Sequence, residues 1–229
     1  MIKKALVVMA KRPFPGQTKT RLVPPFTLEE AATLYESFLN DTLELARATS
    51  GTVPFVAYTP ADDETEAYFR DLAPDFELMA QAGRTLGERL DGVLKECFEK
   101  GYGQVAAMNS DSPSLPLATL EEAFKRLDDA DVDVVFGPCD DGGYYLIGCK
   151  RPYPRLVREV EMSTDHVLAD TLAIAREEML NVALLAPWYD VDDLAGLERV
   201  RLDVSESRDG AVQTRRFLTK SLLTAEKDG

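Results

Sequence analysis

Short apolar runs alternate along the chain with longer stretches in which apolar residues recur every three or four positions. "KALVVMA" (residues 4–10) is an unbroken apolar run, the pattern of a strand covered on both faces. From Thr27 to Gly51 the residues Ala31, Leu34, Tyr35, Phe38, Leu39, Thr42, Leu45 and Ala46 share one helical face. Thr27 with Glu30 forms a capping box there, and Gly51 stands just past the end. "VPFVAYT" is a second strand, followed by a helix from about Asp62 to Leu72 and the short strand "FELMAQ". "TLGERLDGVLKECFEKG" is helical, with Leu86, Leu90, Val93, Leu94 and Cys97 on one face. "QVAAMN" is a strand, and a helix runs from near Leu117 to Asp128. Strands "VDVVFGP" and "GYYLIGC", a helix from Thr164 to Met179, the strand "NVALLA" and two helical stretches complete the chain.

Strands alternating with helices predict βαβ units. The expected fold class is α/β: three layers, α/β/α, around a mostly parallel mixed sheet. No linker, low-complexity tract or repeat interrupts the pattern, so a single domain is expected over 1–229, with a helical tail from about 205. In such sheets ligands bind beyond the carboxyl ends of the strands. Four chemically rich segments follow predicted strand ends: "AKRPFPGQTKTR", "NSDSPSLP", "GPCDDGG" and "PWYDVDD".

Net charge narrows the partners. At −14 over 229 residues the chain lacks the basic balance of a nucleic-acid binder. An acidic protein binds a small polyphosphate only where local cations or a metal ion invert the field. No apolar stretch reaches the roughly 18 residues of a membrane span. The start, "MIKKALVVMAKRP", has too short an apolar run for a secretion signal, so the expected location is cytoplasmic. Cys97, Cys139 and Cys149 have no CxxC spacing and fit reduced core thiols.

The first loop supplies the cations: Lys11, Arg12, Lys19 and Arg21, on a segment stiffened by Pro13 and Pro15 and turned at Gly16. Such a cluster grips phosphate oxygens, or else is a solvated basic loop. Its spacing is not that of a P-loop. Asp111 in "NSDSPSLP" either caps the next helix, a role Ser112 or Ser114 could equally fill, or holds a Mg²⁺ or Mn²⁺ ion. Asp190 and Asp192 stand two apart and face one side if extended, as further ligands or as caps together with Asp193. Gly142 and Gly143 allow a close backbone approach or a tight hairpin, and Tyr144 and Tyr145 can stack on a ring. His166 is the only histidine, which excludes a histidine-rich zinc site.

Together, "AKRPFPGQTKTRL", "LGERL", "SDSPSLP", "GPCDDGGYYLIG", "STDHVL" and "PWYDVDD" resemble the rSAM/selenodomain-associated transferases. That glycosyltransferase-like family belongs to the nucleotide-diphospho-sugar transferase superfamily, with the GT-A fold. The resemblance covers about residues 5–200, and better-understood relatives are guanylyltransferases. It implies that Lys11, Lys19 and Arg21 face nucleotide phosphates and that Asp111 and Asp192 hold the metal. Gln81, Arg84 and Gly87 would line the base side. Asn109 stands where that family usually has Gly, Arg84 where it has an acid, Met162 where it has Trp and Asp193 where it has Thr.

The expected activity is therefore a Mg²⁺- or Mn²⁺-dependent transfer from a nucleotide sugar or nucleoside triphosphate to a small acceptor. Asp111, Asp141 and Lys19 are the expected catalytic residues, and Asp111, Asp190 and Asp192 the metal ligands. Lys11, Arg12, Gly16, Arg21, Gln81, Arg84, Gly87, Ser110, Gly142, Gly143 and Tyr144 are the expected substrate-binding residues. Glycosyl transfer needs a base, for which Asp140, Asp141 and Asp165 are candidates. Nucleotidyl transfer releases pyrophosphate and needs positioning and charge neutralisation instead. A third reading is a nucleotide-binding module without catalysis, which would bind equally well in EDTA.

Overall fold

The computed structural model describes residues 2–206 and 210–225. Strands β1 (Lys4–Lys11), β2 (Thr52–Thr59), β3 (Glu77–Ala80), β4 (Gln104–Met108), β5 (Val134–Pro138), β6 (Tyr144–Cys149) and β7 (Val182–Leu184) form one sheet in the order β3-β2-β1-β4-β6-β5-β7. β1 is parallel to β2 and β4, β2 to β3, and β5 to β7. β6 runs antiparallel to both β4 and β5. The short "CDDGG" connection explains this. It is too short for a parallel crossover, so β5 must return as a hairpin, with a register shift at Gly137/Pro138.

Helices α1 (Leu28–Ala48), α2 (Asp63–Leu72) and α4 (Leu117–Asp128) cover one face, and α3 (Leu86–Glu99), α5 (Arg155–Arg158) and α6 (Val167–Glu177) cover the other. Side chains alternate across β1: Leu6 and Val8 enter the first core, Ala5 and Val7 the second. α7 (Leu194–Glu206) and α8 (Val212–Ala225) pack outside α1, through Leu34 and Phe38 against Val200 and Leu218. Among the described residues no helix is long and apolar enough to cross a membrane. The three cysteines are free and buried.

The capping box of Thr27 and Glu30 opens α1, and a second one, Thr85 with Glu88, opens α3. One cap expectation and one boundary expectation are corrected, while α4 runs over Leu117–Asp128 as expected. α4 begins after Pro116 with no side-chain cap, because Ser112 and Ser114 are drawn to Asp190 and Tyr189 instead. α6 begins at Val167 rather than Thr164, since its N-cap His166, at φ −119° and ψ 7°, is not helical.

α8 is held from a distance. Asp41, 5% exposed in the middle of α1, accepts hydrogen bonds from Gln213 N at 2.9 Å and Thr214 N at 2.8 Å. These are first-turn N–H groups that lack intrahelical partners, and a carboxylate there also suits the helix dipole. Asp41→Ala is expected to lose about 2–3 kcal/mol in urea denaturation, the scale for hydrogen bonds to a charged group. A variant as stable as the parent would show that α8 docks without help from this carboxylate.

Candidate active site

A cleft of about 700 Å³ opens at the carboxyl ends of β1 and β4. The loop after β1 contributes Lys11, Lys19 and Arg21 to it, the β4 exit Asp111, the β5–β6 hairpin Asp141, Gly143 and Tyr144, and the segment before α7 Asp190 and Asp192. All four rich loops therefore reach one cavity. Parallel strands point their ends the same way, and the β5 end joins them because its hairpin turns at that edge.

At the centre, the Lys19 ammonium donates to Asp111 Oδ1 and, at 2.8 Å, to Asp192 Oδ1. Its side chain is 5% exposed, against 33% for Asp111 and 52% for Asp192. Burial opposes the Lys19 charge, but the two carboxylates outweigh it and hold the ammonium above its ordinary pKa. Asp111 does not cap α4. Asp193 caps α7, accepting from Gly196 N at 2.9 Å, which leaves Asp192 free to face the cleft.

Two networks set this geometry. Lys11 N donates to Tyr35 Oη at 3.1 Å, and Ser110 Oγ donates to Met9 O at 3.1 Å. Ser110 has one proton to give, so the 2.8 Å contact between Tyr35 and Ser110 is donated by Tyr35. Burial first, then Asp111, push the Tyr35 hydroxyl up to about 12, so it stays protonated as that chain requires. The second network converges on Asp190 Oδ1, which accepts from Asn109 Nδ2 and Ser112 Oγ, each at 2.8 Å, and from Cys139 Sγ at 3.3 Å. Val191 N donates to Asp111 O at 2.9 Å. Asp190 thus clamps the β4 exit to the segment before α7 and fixes the separation of Asp111 and Asp192. Burial and the nearby Asp111 raise its pKa.

The donor set suits a hard divalent cation. Two carboxylate oxygens already converge on one positive charge, and Mg²⁺ is commonly held by one or two carboxylates plus substrate phosphates. Among the described residues no group of three or more His, Cys, Asp or Glu side chains that could hold a metal ion forms.

The family model for an uncharacterized protein conserved in bacteria, DUF2064, matches residues 42–164. The chain belongs to this family. A solved structure from Desulfovibrio desulfuricans G20, provisionally named a nucleotide-diphospho-sugar transferase, is 29% identical, with a TM-score of 0.90 over 99% of this chain and 98% of its own. CMP:2-keto-3-deoxy-manno-octonic acid synthetase in complex with CTP is 14% identical, with a TM-score of 0.58 over 89% of this chain and 99% of its own. Glucosyl-3-phosphoglycerate synthase from Mycobacterium tuberculosis, solved with Mn²⁺, UDP and glucosyl-3-phosphoglycerate, is 10% identical, with a TM-score of 0.53 over 89% of this chain and 76% of its own. At such identities the last two share the fold alone. No curated protein matches the chain. The fold is that of the nucleotide-diphospho-sugar transferases, and its structural neighbours are nucleotide-sugar transferases and nucleotidyltransferases.

In this DUF2064 chain several of the expected substrate-binding residues lie outside the cleft wall. Arg12 stacks on Phe14, 4.6 Å from its ring centre, and pairs with Glu64. Gln81 is buried and donates to Ala57 O at 2.7 Å and Ala10 O at 3.3 Å, tying β1 and β2 together. Gly87 serves packing: a Cβ there would lie 2.0 Å from Val157 O in α5. Gly142 lies equally close to Asp165 O, while Gly16 supplies a left-handed turn with φ 75°. Ser110 is buried beneath the wall in the Tyr35 chain, and Arg84 lies in the exposed turn before α3.

Other cleft residues were not among the site residues expected from the sequence. Leu86, Leu90, Ile147 and Met162 add apolar side chains to the cleft lining. Tyr35 had one legible signal: a phenol hydroxyl on a mostly apolar helix stripe requires a polar partner.

His166 stands at the rim, its Nδ1 3.0 Å from Asp165 Oδ1 and its Nε2 3.6 Å from Asp170 Oδ2. The Asp165 hydrogen bond raises the His166 pKa, and the same bond lowers that of Asp165, making Asp165 a poorer base. Asp165→Asn is expected to lower the His166 pKa in an NMR titration. An unmoved midpoint would exclude this pair in solution.

Proposed function

We propose that this chain is a metal-dependent glycosyltransferase of the rSAM-associated type, moving a sugar from a nucleoside diphosphate to a hydroxyl of a small acceptor. The observation that carries the reading is the convergence of Asp111 and Asp192 on one cation, beside Lys11 and Arg21, in a single cleft. A Mg²⁺ or Mn²⁺ ion held by these two acids would neutralise charge on the leaving diphosphate. Lys11, Lys19 and Arg21 bind its phosphate oxygens. Asp141 takes the acceptor proton as the hydroxyl attacks the anomeric carbon and the bond to the diphosphate breaks. Its Oδ1 is fixed by Gly143 N–H at 2.9 Å, and it faces the cleft. The other candidate bases are engaged elsewhere: Asp140 pairs with Arg199, and Asp165 with His166.

Nucleotidyl transfer is the second reading. It is supported by the phosphate-side cations, which suit a reaction that needs neutralisation rather than a base. A thermal-shift screen of nucleoside triphosphates and nucleotide sugars, with Mn²⁺ and with EDTA, tests both, because a ligand of the folded state raises the melting temperature. A nucleotide sugar that stabilises only with Mn²⁺ supports sugar transfer. A triphosphate doing so, with pyrophosphate released on turnover, supports the second reading. Equal binding in EDTA would sink the metal-dependent transferase altogether.

A further inference from the structure

We infer that the Lys19 ammonium is the resident counter-cation of the Asp111–Asp192 pair, and that a divalent cation and a nucleotide phosphate must enter together to displace it. The inference rests on the metal-dependent reading above and deepens it by naming the residue that couples the two ligands.

The ammonium bonds one oxygen of each carboxylate, Asp111 Oδ1 and Asp192 Oδ1, and a metal held by the same pair of acids would compete with it for them. Two cations cannot both sit against them, because their mutual repulsion is added to competition for the same lone pairs. Lys19 therefore has to move before those oxygens accept a metal. It cannot move alone. Its side chain is almost wholly enclosed, with the ammonium 5.8 Å and 5.7 Å from the ring centres of Tyr35 and Phe38, and an unpaired charge there is costly. Of the other acids that line the cleft, Asp190 has Oδ1 occupied by Asn109, Ser112 and Cys139, Asp141 has Oδ1 held by Gly143 N, and Asp165 pairs with His166. A phosphate on the Lys11–Arg21 side is the anion that can receive Lys19.

The backbone supplies a place for the movement. Lys19 has φ 49° and ψ 37°, left-handed for a residue with a side chain, directly before a short 3₁₀ turn at Thr20–Leu22. Such a conformation persists only where surrounding contacts hold it; here the side chain is tied to the two carboxylates and Lys19 O accepts from Leu22 N at 3.0 Å. Once phosphate draws the ammonium away, the side-chain part of that restraint goes with it. Each ligand thus removes an obstacle to the other, and by linkage each raises the other's affinity by the same factor.

Mn²⁺ binding, read from the electron paramagnetic resonance of free Mn²⁺, tests this without any turnover. The probes are Mn²⁺ alone and Mn²⁺ with saturating UDP, GDP or CDP, on the parent, Lys19→Met, Lys19→Arg and Asp111→Asn. The parent should bind Mn²⁺ weakly alone and about 5–150-fold more tightly with a diphosphate, the usual span of coupled sites. Lys19→Met should bind Mn²⁺ tightly with no nucleotide, and Lys19→Arg, which keeps the cation, should bind it as weakly as the parent. A parent that binds Mn²⁺ equally with and without nucleotide overturns the inference. So does a folded Lys19→Met with no gain. If Asp111→Asn still loses Mn²⁺ affinity in that case, the metal reading stands and only the coupling falls. If no protein binds Mn²⁺ with any diphosphate, the metal-dependent reading fails and the inference with it.

Discussion

Asp111→Asn loses Mn²⁺-dependent nucleotide affinity by at least about 10–100-fold, the loss already seen when a residue that merely supports a metal ligand is removed. Asn keeps an oxygen toward Lys19 but gives up the charge that a hard cation needs. Stability falls by no more than about 2 kcal/mol, because Asp192 still opposes the ammonium and a hydrogen-bond acceptor remains. The split between the two readouts is what separates metal chemistry from a structural turn. α4 starts at Leu117, after Pro116, so no helix cap is lost with Asp111. Calorimetry with Mn²⁺ measures the affinity, and melting in EDTA measures the fold. Unchanged affinity with a lower melting temperature would show that the acid serves the loop and that the site is elsewhere.

Gly142→Ala is the substitution expected to damage the fold most. Gly142 has φ 90°, and a Cβ there would fall 1.8 Å from Asp165 O and 2.5 Å from Asp165 C. Leu168 N also donates to Gly142 O at 2.9 Å, so the hairpin and the loop before α6 are pressed together backbone to backbone. The positive φ costs about 1–2 kcal/mol and the overlap about 1–3 kcal/mol more. For a chain of this size that lowers the melting temperature by roughly 4–20 °C, at about 2–4 °C per kcal/mol. Gly51→Ala isolates the backbone part, since Gly51 has φ 75° and nothing within 4 Å of the added Cβ. Equal melting temperatures for the two variants would mean that the loop before α6 yields freely. Nucleotide-sugar binding should also weaken in Gly142→Ala, because Asp141 and Ser163 line the cleft on either side of this contact.

The elements were legible because their causes are local. An unbroken apolar run makes a strand buried on both faces, as Ala5 to Val8 are, and Thr27 with Glu30 marks a helix start with residues only three apart. That the rich loops share one rim follows from the parallel alternation of strand and helix, which sends strand ends the same way. The pairings inside the cleft have no local cause. Lys19 meets Asp111 across 92 positions and Asp192 across 173, and Asp190 meets Asn109 across 81. Such contacts depend on β1 lying beside β4 and on β7 closing the far edge, an order that the spacing of apolar residues does not encode. Asp190 and Asp192 look alike in "YDVDD", yet one is drawn into the wall by three donors and the other faces a buried cation. Gly87 and Gly142 carry the same ambiguity, since a glycine admits a ligand or another backbone equally well and only the neighbouring segment decides. The amino-acid order thus determined the strands, the helices and the kind of chemistry at the rim. The tertiary structure decided which acid faces the cation and which holds the wall, because those roles are set by neighbours far away along the chain.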